Sequence, residues 1–190
     1  MRYWISAGIS LALWGFSFTQ LPADEYITQH EHVLGTSMEL RVSSSSSQQA
    51  AAVETLSLVE IDRLSKVLSR HDESSELNRW QRGELAAAQL SADLVEVLTA
   101  AETWRIRTGG AFDIRAGALI PLWQKAVAAQ KLPGEGDRLA LTMALRELPW
   151  TDAFPRELVR NDRLPLSLDA IAKGYILDAV TMAAARRFPE

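Results

Sequence analysis

The sequence predicts an α+β domain in which a mixed sheet and helices form layers. Three observations favour this class. Alternating apolar residues occupy a segment near the amino terminus, several longer segments carry apolar residues at helical spacing, and strand-like segments fall between the later helices without strict alternation. The chain has 190 residues, of which 47% are hydrophobic and 23% charged, so it can build one sizeable core.

The first elements are a hairpin and a long helix. Residues 26–42 alternate in polarity and predict a strand pair, with apolar positions at Val33, Met38, Leu40 and Val42. The serine run 43–47 is typical of a solvated loop. Residues 48–67 predict a helix, because Val53, Leu56, Val59 and Leu64 recur broadly at helical spacing.

The second half predicts three more helices. Ser91 is the expected N-cap of the first, which Gly109 and Gly110 end, since a helix stop commonly needs a left-handed residue. The second of these helices is predicted at residues 136–148. Strand-like residues 153–159 and 164–168 follow, and the last helix is expected from about Ala172 through Ala185.

Charge and composition exclude several classes of function. The formal net charge is −4 and no basic stripe is present, which argues against a nucleic-acid partner. The chain has no cysteine, so disulfides, thiolate metal sites and a lipid anchor on a lipobox cysteine are excluded.

The amino terminus indicates export. Arg2 supplies a positive charge, residues 5–18 form an uncharged apolar run, and Ala23 stands before two acidic residues. This is the layout of a secretory signal peptide over residues 1–23, followed by a domain over 24–190. The alternatives are an uncleaved anchor at the inner membrane or a buried first strand. We expect a periplasm-like location.

Residues 167–178 are the most informative stretch. They predict an apolar strand, a small-residue turn and Lys173 at the start of a helix. Ala170, Ala172 and Gly174 keep side-chain bulk away from the backbone, and exposed amides at a helix start suit an anion. The alternative is an ordinary strand-to-helix corner whose lysine is solvated.

A second informative stretch covers residues 107–123. Asp113 lies between Phe112 and Ile114, close to Gly109, Gly110 and Gly117. A carboxylate between apolar neighbours is costly to bury without a donor. Asp113 is therefore either a hydrogen-bonded turn aspartate or the acceptor for a ligand donor.

These stretches resemble the signature blocks of the ApbE-type FAD:protein FMN transferases. The matching blocks are Gly-Gly-Ala-Phe-Asp at 109–113, Pro-Leu-Trp at 121–123 and Asp-Ala-Ile-Ala-Lys-Gly-Tyr at 169–175. Two weaker blocks, 34–36 and 68–78, precede them in the family's order. The resemblance covers about residues 30–187 and implies an ApbE-like, T-fold-type domain. Later strands and an acidic, threonine-containing metal motif of the family are not matched, so we expect an incomplete domain.

The resemblance implies a Mg²⁺-dependent enzyme that uses FAD as substrate. It would transfer FMN to a threonine or serine of exported redox proteins, such as subunits of sodium-pumping NADH:quinone oxidoreductase or Rnf-type complexes. The alternatives are a Mg²⁺-dependent FAD pyrophosphatase and a non-catalytic protein that binds FAD or a partner.

The resemblance also implies a set of binding residues, although no catalytic residue can be named. The Ala170 carbonyl would be a metal ligand. His71 replaces a tyrosine common in the family, and Ser167 replaces an aspartate that contacts flavin in several members, with Asp169 two residues on. The expected FAD-binding residues are Leu34, His71, Ala111, Phe112, Asp113, Ser167 and Lys173.

Two spatial expectations can be tested in the structure. Asp113 and Lys173 should share a cleft that holds the bridging phosphates of a dinucleotide. A weaker hypothesis is a metal site at His30 and His32, which would face the same side if the strand were regular.

Overall fold

The computed structural model describes residues 24–189. The predicted signal peptide at 1–23 lies outside the described residues. Strand β1 spans Asp24–Val33 and pairs antiparallel with β2, Thr36–Ser44, which confirms the predicted hairpin. Leu34 and Gly35 form its turn with φ of 52° and 74°, the left-handed pair of a type I′ turn.

Helix α1, Ser47–Leu68, is the long helix predicted from spacing. Its first turn is capped by Ser46, whose hydroxyl accepts a hydrogen bond from the Gln49 amide. Its buried face differs from the expected one, because Val59 is exposed while Ile61 is buried. The buried stripe of α1 packs chiefly against the last helix of the chain.

Short and long helices follow in the middle of the chain. Helix α2 covers Glu76–Gln81 and α3 covers Ala92–Arg107. Ser91 caps α3 as predicted, accepting from the Leu94 amide. Gly109 and Gly110 follow the end of α3 with φ of 60° and 88°, as their predicted role requires.

The later helices are α4, Leu119–Ala128, α5, Glu135–Arg146, and α6, Asp169–Arg187. A 3₁₀ turn at Ile114–Ala118 leads directly into α4. The start predicted for α6, near Ala172, is wrong by three residues. Leu168 caps the helix, and its carbonyl accepts from the amides of both Ile171 and Ala172, so the chain is already helical at Asp169.

The strands predicted at 153–159 and 164–168 are not formed. Residues 150 and 160 make a single antiparallel bridge that closes a loop of turns. The amides of the second segment find partners outside any sheet: Leu166 donates to the side chain of Gln81, and Ser167 to the carbonyl of Ile114. An apolar segment with no neighbouring strand satisfies its backbone in this way.

One hydrophobic core joins α1, α2, α3 and α6. Trp150 packs within it, its ring stacked 4.7 Å from Phe154 and 6.3 Å from Trp80, centroid to centroid. The described residues thus form a mixed α+β fold, as predicted, with a small two-stranded sheet beside six helices. No helix within residues 24–189 has the length and apolar character to span a membrane. The buried core consists of Ile61, Leu64, Leu68, Leu77, Leu94, Val97, Leu98, Ala101, Ile114, Trp150, Leu158, Leu166, Leu168, Ala172, Ile176 and Val180.

Candidate functional site

An open cleft of about 830 Å³ lies between the hairpin turn, α1 and the start of α6. Apolar side chains of α1 and α6 form its base, among them Ile61, Leu68 and Ile176. Such a volume suits a small-molecule ligand, because binding pockets commonly enclose a few hundred to about 1,000 Å³.

Helix α6 presents one stripe to the cleft. Asp169, Ala172, Lys173 and Ile176 all line it, at the i, i+3, i+4 and i+7 spacing of one helix face. Lys173 lies in the second turn of α6, so the prediction that it begins the helix is wrong. It contributes a side-chain charge to the cleft, whereas the amides around it are inside the helix.

The loop between α1 and α2 carries His71 into the same cleft. Asn78 organises this loop, because its side-chain amide donates to the carbonyls of Arg70 and Asp72 at 2.9 and 2.8 Å. His71 lies between these two anchored residues and lines the cleft with an exposed side chain. The fixed loop therefore places an imidazole opposite α6.

An ion pair fixes the mouth of the cleft. Arg70 Nε donates to Asp169 Oδ2 at 2.5 Å, and His71 Nε2 lies 4.0 Å from the same oxygen. Burial alone would raise the pKa of the Asp169 carboxyl, but hydrogen bonds, chiefly from Arg70, outweigh it and lower that pKa. Asp169 is therefore an anion whose charge is already met by Arg70.

Asp113 is held by its own turn. Its carboxylate caps the 3₁₀ turn by accepting from the Arg115 amide at 2.8 Å, and the Arg115 guanidinium donates to both of its oxygens. These contacts are those of a hydrogen-bonded turn aspartate, the first of the two alternatives stated above. The carboxylate lines a small cavity of about 10 Å³, the size of one water molecule.

Arg115 is fully buried and joins three segments. Besides Asp113, its guanidinium donates to Asp162 Oδ2 at 3.0 Å and to the carbonyls of Leu145 and Glu147, which end α5. These partners satisfy the charge and the donors of a group that is otherwise costly to bury. Arg115 therefore anchors the turn carrying Asp113 to the end of α5 and to the loop before α6.

The two informative stretches of the sequence meet through their main chains. The Ser167 amide donates to the Ile114 carbonyl at 2.8 Å. At Gly117 an added Cβ would lie 2.8 Å from the Pro165 carbonyl oxygen and 2.9 Å from the Ser167 nitrogen. The close approach requires glycine, and it fixes the segment that begins α6 against the turn of Asp113.

Comparison with known proteins agrees with this arrangement. Residues 34–187, more than half of the chain, match the ApbE family. The chain belongs to the ApbE family. It is 26% identical over 152 residues to an FAD:protein FMN transferase of Salmonella typhimurium, with 76% of this chain and 43% of that protein covered.

Solved ApbE structures have the same fold. The flavin transferase ApbE of Vibrio cholerae aligns with a TM-score of 0.61 at 19% identity, covering 85% of this chain and 53% of its own. The ApbE protein of Thermotoga maritima aligns at 0.68 and 22%, covering 86% and 53%. The flavinyl transferase ApbE of Pseudomonas stutzeri, in its apo form, aligns at 0.68 and 18%, covering 89% and 57%. The chain thus spans about half the length of these ApbE proteins.

The structure brings together three of the residues expected from the ApbE resemblance. Leu34, His71 and Lys173 come from distant parts of the sequence and line one cleft. Asp113 and Lys173 line different cavities. The expectation that they share the cleft lined by Lys173 is therefore wrong. A FAD contact by Asp113 stays a prediction.

The remaining expected FAD-binding residues lie around the turn of Asp113 and before α6. Phe112 packs against the core and Ala111 is exposed. Ser167 accepts a hydrogen bond from the Asp169 amide at 3.4 Å, which helps to begin α6. Their contacts with FAD also stay predictions.

Within 24–189 no three His, Asp or Glu side chains are grouped to hold an ion. Ala170, the expected carbonyl ligand, lies in the first turn of α6, and the nearby carboxylate of Asp169 is taken by Arg70. Nor do His30 and His32 form the hypothesised pair, because a bulge between them breaks the alternation of β1 and His30 approaches Glu54 instead.

Sequence reasoning missed the residues that fix the site. The buried Arg115 and the partly buried Arg160 both pair with Asp162, and Arg70 pairs with Asp169 across 99 positions. The Asp-x-Arg spacing of 113 and 115 and the Arg-x-Asp spacing of 160 and 162 are local signals. The Arg115–Asp162 and Arg70–Asp169 pairs join segments far apart in sequence, which a single sequence does not indicate.

Proposed function

We propose that this chain carries the flavin-binding part of an FAD:protein FMN transferase. The observation that supports it is that three family-matched positions, Leu34, His71 and Lys173, line one ligand-sized cleft although they are separated by up to 139 positions. The name of the Salmonella relative agrees with this activity.

The proposed reaction replaces the phosphoanhydride bond of FAD by a phosphoester bond to the target protein. The hydroxyl oxygen of a threonine or serine in the target protein attacks the phosphorus of the FMN half of FAD. A P–O bond to the protein forms, the bond to the bridging oxygen of the pyrophosphate breaks, AMP leaves with the bond's electron pair, and the hydroxyl proton is released. Charge that develops on the phosphate oxygens must be stabilised by fixed cations or donors.

The cleft offers groups suited to such a ligand. Lys173 supplies a point charge to phosphate, His71 supplies a flat ring with a polar edge, and Leu34 supplies an apolar contact. Because Arg70 already pairs with Asp169, the acid beside Lys173 does not cancel the lysine's charge. Asp62, the other carboxylate that lines the cleft, pairs with Lys66, so the positive charge of Lys173 favours an anionic ligand there.

The proposal extends to magnesium, location and partners. A requirement for Mg²⁺ follows from the family resemblance, and Ala170 is the only ligand it places among residues 24–189. The acceptors would be flavoprotein subunits of exported redox complexes, in keeping with the signal-like residues 1–23.

The test is an incubation of the chain with FAD, Mg²⁺ and a purified acceptor domain. A fluorescent acceptor band that survives denaturing electrophoresis, with AMP released in equal amount, supports the transferase. Free FMN and AMP without a labelled acceptor indicate a pyrophosphatase, and saturable FAD binding without either product indicates a binding protein. An acceptor whose target threonine is changed to alanine is the control for labelling at other positions.

A further inference from the structure

The tip of the hairpin contains an irregularity that the resemblance does not explain. His30 pairs with Met38 and Val33 pairs with Thr36, so Glu31 and His32 together face Ser37 alone. This is a β-bulge, and His32 within it has a φ of 62°. A left-handed conformation is uncommon for a residue other than glycine, although histidine tolerates it better than most.

The bulge directs His32 into the cleft described above. His32 lines that cleft together with Leu34, whereas His30 on the regular part of β1 approaches Glu54 of α1 at 2.9 Å. Within residues 24–189 the His32 side chain makes no hydrogen bond or ion pair. Bulges beside binding sites commonly re-aim one side chain, which is what this one does.

We propose that His32 is a ligand-binding residue that contacts the phosphate groups of the nucleotide in the cleft. It would complete a rim of three nitrogen-bearing side chains with His71 and Lys173, each from a different segment of the chain. The inference rests on the proposed function, because the nucleotide is FAD. An imidazole can donate to phosphate oxygens, and donors to charged groups give the stronger hydrogen bonds.

The test uses substitutions that keep the backbone of the bulge. His32→Asn and His32→Gly both accept a left-handed conformation, so they remove the imidazole without straining the hairpin. His30→Asn, on the same strand but away from the cleft, is the matched control. The binding of FAD is measured by calorimetry, ADP is used to displace FAD, and thermal melting monitors folding.

We expect His32→Asn and His32→Gly to weaken both FAD and ADP binding about tenfold, which is the loss of one hydrogen bond to a charged group. The His30→Asn variant should bind as the wild-type chain does. Wild-type affinity in both His32 variants overturns the inference and leaves the proposed function standing. The phosphate contact is overturned if ADP fails to displace FAD from the wild-type chain. It is also overturned if the His32 variants bind FAD more weakly but bind ADP as the wild-type chain does. A wild-type chain that does not bind FAD overturns the proposed function and this inference with it.

Discussion

The contact between the two family-matched blocks can be tested by Gly117→Ala. Gly117 lies in the 3₁₀ turn after Asp113 and presses on the backbone of residues 165–167. A methyl group there would lie 2.8, 2.9 and 3.0 Å from the Pro165 oxygen, the Ser167 nitrogen and the Leu166 carbonyl carbon. All three are main-chain atoms, so no side-chain rotation can relieve the overlap.

The expected cost has two parts. Forcing one extra methyl into a packed contact destabilises a protein by about 1–3 kcal/mol. Separating the segments also lengthens the 2.8 Å hydrogen bond from the Ser167 amide to the Ile114 carbonyl, which adds about 0.5–1.5 kcal/mol. We therefore expect Gly117→Ala to lower the free energy of unfolding by about 1.5–4.5 kcal/mol.

Urea denaturation followed by tryptophan fluorescence measures this change. Gly136→Ala is the matched control, because Gly136 lies inside α5 with no atom within 4 Å of the added Cβ. Gly136 lies in the first turn of α5, so that substitution should raise stability by less than the ~1 kcal/mol of a helix interior. If Gly117→Ala unfolds at the same urea concentration as Gly136→Ala, the two blocks are not in tight contact and the reasoning fails.

Four further changes have defined expectations. Gly110→Val should cost about 1–2 kcal/mol, because Gly110 is left-handed while its Cβ direction is open, and Gly110→Asn should cost less in the same denaturation assay. Lys173→Ala should weaken FAD binding in calorimetry, and an unchanged affinity counts against a phosphate contact. Arg115→Met leaves two carboxylates without their buried cation and should cost about 3–5 kcal/mol, whereas Arg63→Met, at a half-exposed pair, should cost about 1 kcal/mol or less. Burial opposes ionisation of Asp162, but its hydrogen bonds lower the pKa of its carboxyl below 3.8. The ionised carboxylate therefore stabilises the folded chain above pH 3.8, and this contribution is lost as the pH falls through the pKa of the folded state. Asp162→Asn should accordingly reduce the loss of folding stability at acid pH, measured by denaturation across pH.

The local elements of the fold could be predicted from the sequence because their signals are local. The hairpin follows from alternation, and α3 from its serine cap and its terminal glycines. The strands predicted at 153–159 and 164–168 are wrong because strand-like composition does not show whether a neighbouring strand is available for pairing. Their backbone is satisfied by a bridge, by side chains and by the Ile114 carbonyl instead of a sheet.

The site was only partly predictable for a related reason. Their positions within motifs that resemble a family identified Leu34, His71 and Lys173, which the structure places around one cleft. The partners that fix the surroundings, such as Arg115 for Asp113, depend on burial, which composition does not report. From the sequence alone, an aspartate between apolar residues that accepts hydrogen bonds from a ligand cannot be distinguished from one that accepts them from an arginine.

The two blocks therefore have different physical relations to the cleft. The turn of Asp113 is tied by Arg115 to the protein interior and by Gly117 to the segment before α6. That segment begins the helix whose one face carries Lys173 into the cleft. A change at Gly117 should thus reduce FAD affinity only by displacing α6, in proportion to the lost stability, whereas Lys173→Ala should reduce affinity with the fold intact. If Gly117→Ala, like Lys173→Ala, lost FAD affinity while keeping wild-type stability, the block that contains Asp113 would have to contact the ligand directly.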